Sequence, residues 1–209
     1  MIESVAIGGM GLSGSTLCYN IFRVIRDNSD YDYQLVKLHE HNEFAAGSKT
    51  IFMVRDLRDT VASMLRKDPD HWNGDVEKAT YYQMKFYYDS WNGTQKDFIW
   101  KYEDYKSNPY QYVYSATQTL GMNIPLDFLK QIVDGCEGIK DMNIPSHQNV
   151  LENAEQAILW EETKMSKRHI TNGGKIGGYK DYLTEAQIKF IEREYRYFFE
   201  EQNYELDYE

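Results

Sequence analysis

The stretch Gly8-Gly9-Met10-Gly11-Leu12-Ser13-Gly14-Ser15-Thr16 constrains this chain more than any other. It follows a short apolar run, Val5 to Gly8, and precedes residues 15–26, where Leu17, Ile21, Val24 and Ile25 recur at helical spacing. Strand, glycine-rich loop and helix in that order form a phosphate cradle. Glycines let the chain turn tightly, so that successive backbone N–H groups at the helix start aim at one anion. Gly9, Gly14 and Thr16 occupy the first glycine, second glycine and hydroxyl positions of the G-x-x-x-x-G-K-[ST] pattern, and Ser13 and Ser15 add further hydroxyls. The lysine position, however, holds Ser15.

The rest of the chain alternates apolar runs with helical patterns, which predicts an α/β fold. Residues 34–39 read as a second strand and 50–54 as a third, apolar enough on both faces to lie centrally in a parallel sheet. Helices are expected over 59–67 and about 76–91, a fourth strand over 98–102, and a further helix from Pro109. Residues 139–149 read as a loop, about 150–165 as helix, and 171–178, with four glycines, as irregular. Thr184 and Gln187 resemble a capping box opening a terminal helix whose apolar stripe is Ile188, Ile191, Tyr195 and Phe198. The expectation is one domain over 1–209, a three-layer α/β/α unit with a mainly parallel central sheet of the P-loop nucleotide-binding type.

Composition narrows the ligand. A formal net charge of -10 argues against a sequence-independent nucleic-acid binder, which needs a basic surface to displace counterions. No apolar run is long enough to cross a bilayer and the N-terminus has no signal-peptide pattern, so a soluble, cytoplasmic protein is expected. Cys18 and Cys136 are too few for a disulfide framework or a zinc cluster and read as buried small apolar residues. Asn92-Gly93-Thr94 fits a glycosylation acceptor but carries little weight without a secretory signal. Phosphoryl-transfer enzymes with such a loop use the lysine and Mg²⁺ because charge builds on the β- and γ-phosphates. Ser15 supplies no charge. A 5′-phosphate joined to a singly charged sulfuryl group asks for less cationic help and no metal, which points to 3′-phosphoadenosine 5′-phosphosulfate (PAPS).

Four segments together resemble the PAPS-dependent sulfotransferase family. Ser13-Gly14-Ser15-Thr16 is similar to its 5′-phosphosulfate loop, S-G-T-T. Residues 54–63, VRDLRDTVAS, are similar to the signature in which a strand-ending arginine and a serine eight residues later bind the 3′-phosphate, which implies Arg55 and Ser63. Arg58, in the same stretch, reads as structural. Lys37-Leu38-His39 matches K-T-H, implying His39 as catalytic base with Lys37 near the transferred group. Residues 102–109, YEDYKSNP, resemble Y-E-D-x-K-x-N-P, whose tyrosine, here Tyr102, contacts the adenine side. These matches span the first half of the chain in family order.

The C-terminal match is looser: residues 177–184 resemble G-D-W-K-N-x-F-T, but the preceding R-K-G falls on Asn172-Gly173-Gly174. Lys167, Arg168 and Lys175 stand near enough in sequence to take over its phosphate grip. Leu12 replaces the usual lysine before the loop, Leu17 replaces the adenine-stacking tryptophan, and the interval from Thr16 to Lys37 is shorter than in cytosolic enzymes. The candidate donor-binding set is therefore Gly11, Leu12, Ser13, Gly14, Ser15, Thr16, Leu17, Arg55, Ser63, Tyr102 and Arg168. His39 and Lys37 form the candidate catalytic pair, with no metal.

The implied reaction is in-line sulfuryl transfer from PAPS, leaving 3′,5′-bisphosphoadenosine (PAP), to a hydroxyl or amine of a small-molecule, carbohydrate or peptide acceptor. Histidine titrates near neutral pH and suits the base. Glu40 and Glu43 stand in reserve, and His41 shares the parity of 37 and 39 one step further out. Two other readings remain open: a P-loop kinase-like phosphotransferase with a degenerate loop, and a catalytically inactive nucleotide-binding relative. The aromatic stretch 81–91 reads as sheet-packing helix, and His71, Trp72 and His147 are given no role. Oligomeric state is left open.

Overall fold

In β1 (Ser4–Gly9) and β3 (Lys49–Val54), consecutive side chains point to opposite faces of a sheet that is buried on both sides, while in the edge strand β4 (Phe98–Lys101) Trp100 is buried and Ile99 is exposed. A computed structural model describes residues 2–38, 47–93, 95–138 and 174–208. With β2 (Gln34–Lys37), the strands form one parallel sheet in the order β2-β1-β3-β4. Register is fixed by pairs such as Ile7 with Lys37, Ile7 with Ile51 and Met53 with Trp100.

Each face carries its own apolar core. On one, Val5, Ile7, Ile51, Met53 and Trp100 pack against α1 (Ser15–Asp27), α6 (Pro109–Thr119) and α7 (Leu126–Gly138). On the other, Phe52 and Val54 pack against α2 (Leu57–Lys67), α3 (Pro69–Trp72), α4 (Val76–Gly93), α8 (Glu185–Glu194) and α9 (Arg196–Glu201). The three-layer α/β/α expectation holds. At the carboxyl ends of neighbouring strands β1 and β3, the chain leaves toward α1 on one face and α2 on the other. That divergence opens the crevice in which parallel α/β sheets bind ligands.

Several elements differ from the sequence reading. Strand β4 ends at Lys101 and Tyr102 opens a one-and-a-half-turn helix, α5 (Tyr102–Ser107), because Glu103 and Asp104 suit a first turn. Helix α7 follows the helix from Pro109 where the sequence reading names no element. The terminal helix breaks at Tyr195 into α8 and α9, so the stripe Ile188, Ile191 and Phe198 continues across a corner. The Thr184–Gln187 capping box is formed reciprocally. Gly178, the last residue of the glycine-rich stretch, opens a 3₁₀ turn over residues 178–181. Helix α4 does pack on the sheet: Tyr87 and Trp91 meet Phe52 edge-on, while Tyr81 and Tyr82 are exposed. Both cysteines are buried and free. The expected loop at 139–149 and helix at 150–165 lie outside the described residues.

Candidate functional site

The glycine loop joins β1 to α1 with its backbone in two left-handed conformations, Leu12 at φ 58° and Gly14 at φ 89°. Gly14 is the N-cap of α1 and offers no side chain, so the first-turn N–H groups have no capping partner. Ser13 is fully buried and turns inward, its hydroxyl donating to the Met10 carbonyl at 2.6 Å. It supports the loop's shape. Ser15 begins the helix half-buried, and half-buried Leu17 packs against the core.

Gly9 is held by sheet geometry. A Cβ there would lie 2.5 Å from the Met53 carbonyl oxygen of β3, and Met10 N donates to that same oxygen. Gly14 is held by contact with α5. A Cβ there would lie 2.8 Å from Tyr102 Cδ2. The Tyr102 ring thus forms one wall of the loop, fixed by a 3.0 Å hydrogen bond from its hydroxyl to the Gly174 carbonyl.

Lys37 reaches the loop from the end of β2. Its Nζ donates to Thr16 Oγ1 at 2.5 Å, which places an ammonium in the first turn of α1. In sequence the lysine belongs one residue before Thr16. In space it arrives from a neighbouring strand.

Arg55 leaves the end of β3 and is 6 % exposed. Its guanidinium stacks over the Tyr102 ring at 4.5 Å, donates to the carbonyls of Leu12 at 3.3 Å and Lys175 at 2.9 Å, and lies 3.5 Å from Asp59. Its buried Nε has no hydrogen-bond partner. Arg55 thereby ties the glycine loop to segment 174–178 and still holds one donor unused, which fits a phosphate group. Asp59, one turn into α2, accepts from the backbone of Gly177 and Tyr179 at 2.9 Å each. Burial pushes its carboxyl above the usual range, against the pull of Arg55. Ser63 follows Asp59 by one turn, is buried, and shares its helix face with Arg66, which donates to Gly178. Arg55, Asp59 and Arg66 therefore bind the same segment, with Ser63 one turn from Asp59 on α2.

Arg58 behaves as a structural residue. It is 4 % exposed, bonds both Asp56 oxygens and Glu192, donates to the Glu205 carbonyl, and lies between the rings of Tyr179 and Phe199. Glu103 of the Y-E-D stretch belongs to the same framework. It accepts from Asp56 N and from the Tyr204 hydroxyl, and burial pushes its carboxyl up.

The structure brings Gly11 to Thr16, Lys37, Arg55 and Tyr102 together, with Ser63 on the adjoining helix. His39 and Arg168 lie outside the described residues, as do Glu40, His41, Glu43, His147 and Lys167. The Lys175 side chain is exposed and pairs with Asp181, so only its carbonyl serves this site. Asp59 and Gln83, whose amide abuts Gly11, were not singled out in the sequence. The repeated R-D pairs of 55–59 carried a signal for the first; nothing local marked the second. Among the described residues no three His, Cys, Asp or Glu side chains are grouped to hold a metal, and no helix is long and apolar enough to cross a membrane.

Neither a family model nor a curated protein matches the chain. Solved structures do. Mouse sulfotransferase SULT7A1 complexed with PAP superposes with a TM-score of 0.64 at 12 % identity, over 91 % of this chain and 82 % of that one. Retinol dehydratase in complex with androsterone and the inactive cofactor PAP superposes at 0.62, also with 12 % identity, over 91 % and 78 %. With a parallel sheet, a lysine-free glycine loop and a strand-ending arginine at its switch point, the chain has the sulfotransferase fold.

Proposed function

We propose that the protein is a metal-independent sulfotransferase that moves a sulfuryl group from PAPS to a hydroxyl or amine. The observation that carries this reading is the Lys37 ammonium at the start of α1, beside a glycine loop whose own lysine position is Ser15. The loop N–H groups and Thr16 hold the 5′-phosphate end. Arg55 and Ser63 take the 3′-phosphate, with the unused Arg55 Nε as one donor. Tyr102 shapes the nucleotide side of the loop. Arg168 is assigned to the same 3′-phosphate from sequence alone.

The acceptor oxygen or nitrogen forms a bond to sulfur as the bond between sulfur and the 5′-phosphate oxygen breaks, and the acceptor's proton passes to a base. His39, two residues beyond Lys37, is the proposed base. Lys37 and the loop donors stabilise charge developing on the departing oxygen without reorganising during transfer. Arg55 and Ser63 act by holding the nucleotide in register. The acceptor is a small molecule, carbohydrate or peptide, and the assigned compartment is the cytoplasm.

Calorimetric titration tests the reading. PAP is expected to bind without metal, and ATP to bind weakly whether or not Mg²⁺ is present. Absence of PAP binding would overturn the proposal, and Mg²⁺-dependent ATP binding would replace it with a kinase-like phosphotransferase.

A further inference from the structure

Helix α4 buries Ala79, Met84 and Tyr87 against the sheet, and among these apolar neighbours it also buries Gln83, which is 1 % exposed. Its Nε2 has no hydrogen-bond partner. A primary amide left unsatisfied in an interior is costly, and native cores seldom keep one without a use. The side chain abuts the glycine loop: a Cβ on Gly11 would lie 3.3 Å from both Nε2 and Oε1 of Gln83. Gly11 therefore leaves open the space into which this amide reaches.

The position is distinctive. Lys37 approaches the loop from the face of the sheet that carries α1, and Gln83 approaches from the face that carries α4. Gly11 lies next to Leu12, whose side chain offers no donor where the resembled family places a lysine. We propose that the Gln83 amide is a donor to a peripheral oxygen of the transferred sulfuryl group, fixing its orientation opposite Lys37. A neutral amide suits a singly charged group, because it adds a directed hydrogen bond without a second buried cation. This assignment rests on the PAPS reading and extends it to a residue outside the family's motifs.

The test compares PAPS with PAP, which lacks the sulfuryl group, on wild type, Gln83→Met and Gln83→Ala by calorimetry without acceptor. Gln83→Met, close in volume, is expected to weaken PAPS binding about tenfold or more, as for a hydrogen bond to a charged group, and to leave PAP binding within about twofold. Because it removes an unsatisfied buried donor, the same variant is expected to unfold at a higher temperature than wild type without nucleotide. Gln83→Ala repeats the affinity pattern if the methionine packs poorly. Equal losses for PAP and PAPS, or unchanged PAPS binding, in both variants would each overturn the assignment while leaving the PAPS reading intact. Failure of wild type to bind either nucleotide overturns both.

Discussion

Replacing Gly14 with alanine perturbs the loop at the point where two separate costs can be worked out. The residue sits at φ 89°, ψ 14°, a left-handed conformation that costs a residue with a Cβ about 1–2 kcal/mol. The new methyl would also lie 2.8 Å from Tyr102 Cδ2 and 3.0 Å from Cε2. The ring cannot swing away freely, because its hydroxyl holds the Gly174 carbonyl and its face holds the Arg55 guanidinium. Relief of such overpacking costs about 1–3 kcal/mol. Gly14→Ala should therefore lose about 2–5 kcal/mol, or roughly 4–20 °C in Tm for a chain of this size. Urea denaturation of Gly14→Ala, Tyr102→Ala and the double variant separates the terms. The backbone strain persists in the double variant and the clash does not, so the cycle should show a coupling of about 1–3 kcal/mol. A single variant as stable as wild type, or a cycle with no coupling, would refute the packing of ring against loop.

Lys37→Met is expected to lower the rate of sulfuryl transfer about a hundredfold or more while PAP affinity changes little, as read by steady-state kinetics beside calorimetry. Arg55→Ala should lose most affinity for PAP and little for adenosine 5′-phosphate; equal losses would remove Arg55 from the 3′-phosphate. Arg58→Met leaves Asp56 and Glu192 buried without their cation and should cost about 3–5 kcal/mol in denaturant unfolding. For Asp59, burial raises the folded carboxyl above its unfolded value, so the folded state takes up the proton first as pH falls. The stability of wild type relative to Asp59→Asn should rise as pH falls from the folded value to the ordinary carboxylate value near ~3.9, as read by denaturation at about pH 7 and about pH 4.5.

The parts of this molecule legible in its sequence are those whose physics is local. Strand, glycine loop and helix follow one another within residues 4–27, and the Thr184–Gln187 cap spans a single turn. The strand ending at Arg55 is marked by five apolar or β-branched residues in succession, Thr50 to Val54. Helix α5 is not legible because Tyr102 closes an apolar run that reads as strand; Glu103 and Asp104 suit a first turn, and the packing of the buried Tyr102 ring adds to that preference only in the folded structure. At the site, the motifs named Arg55, Ser63 and Tyr102 but not how they are held. The Arg55 bond to the Lys175 carbonyl and the Asp59 bonds to Gly177 and Tyr179 join residues about 120 positions apart. Gln83 was hidden by its neighbours, since an amide among tyrosines on a helix has the same pattern whether it faces water or a loop.

The Arg58 cluster carries a consequence for how the chain matures. Its partners Glu192 and Glu205 are 134 and 147 residues away, and Glu192 in turn accepts from the backbone of Asp207 and Tyr208. During synthesis, which proceeds from the N-terminus, the sheet and glycine loop are made long before that anchor exists. Until residues 192–208 emerge, Arg58 has Asp56 as its nearby carboxylate, and α2, which carries Asp59 and Ser63 just beyond Arg55, lacks its final brace. A nascent chain stalled short of this segment should hold its sheet without a competent nucleotide site, so binding would arise as one of the last events of folding.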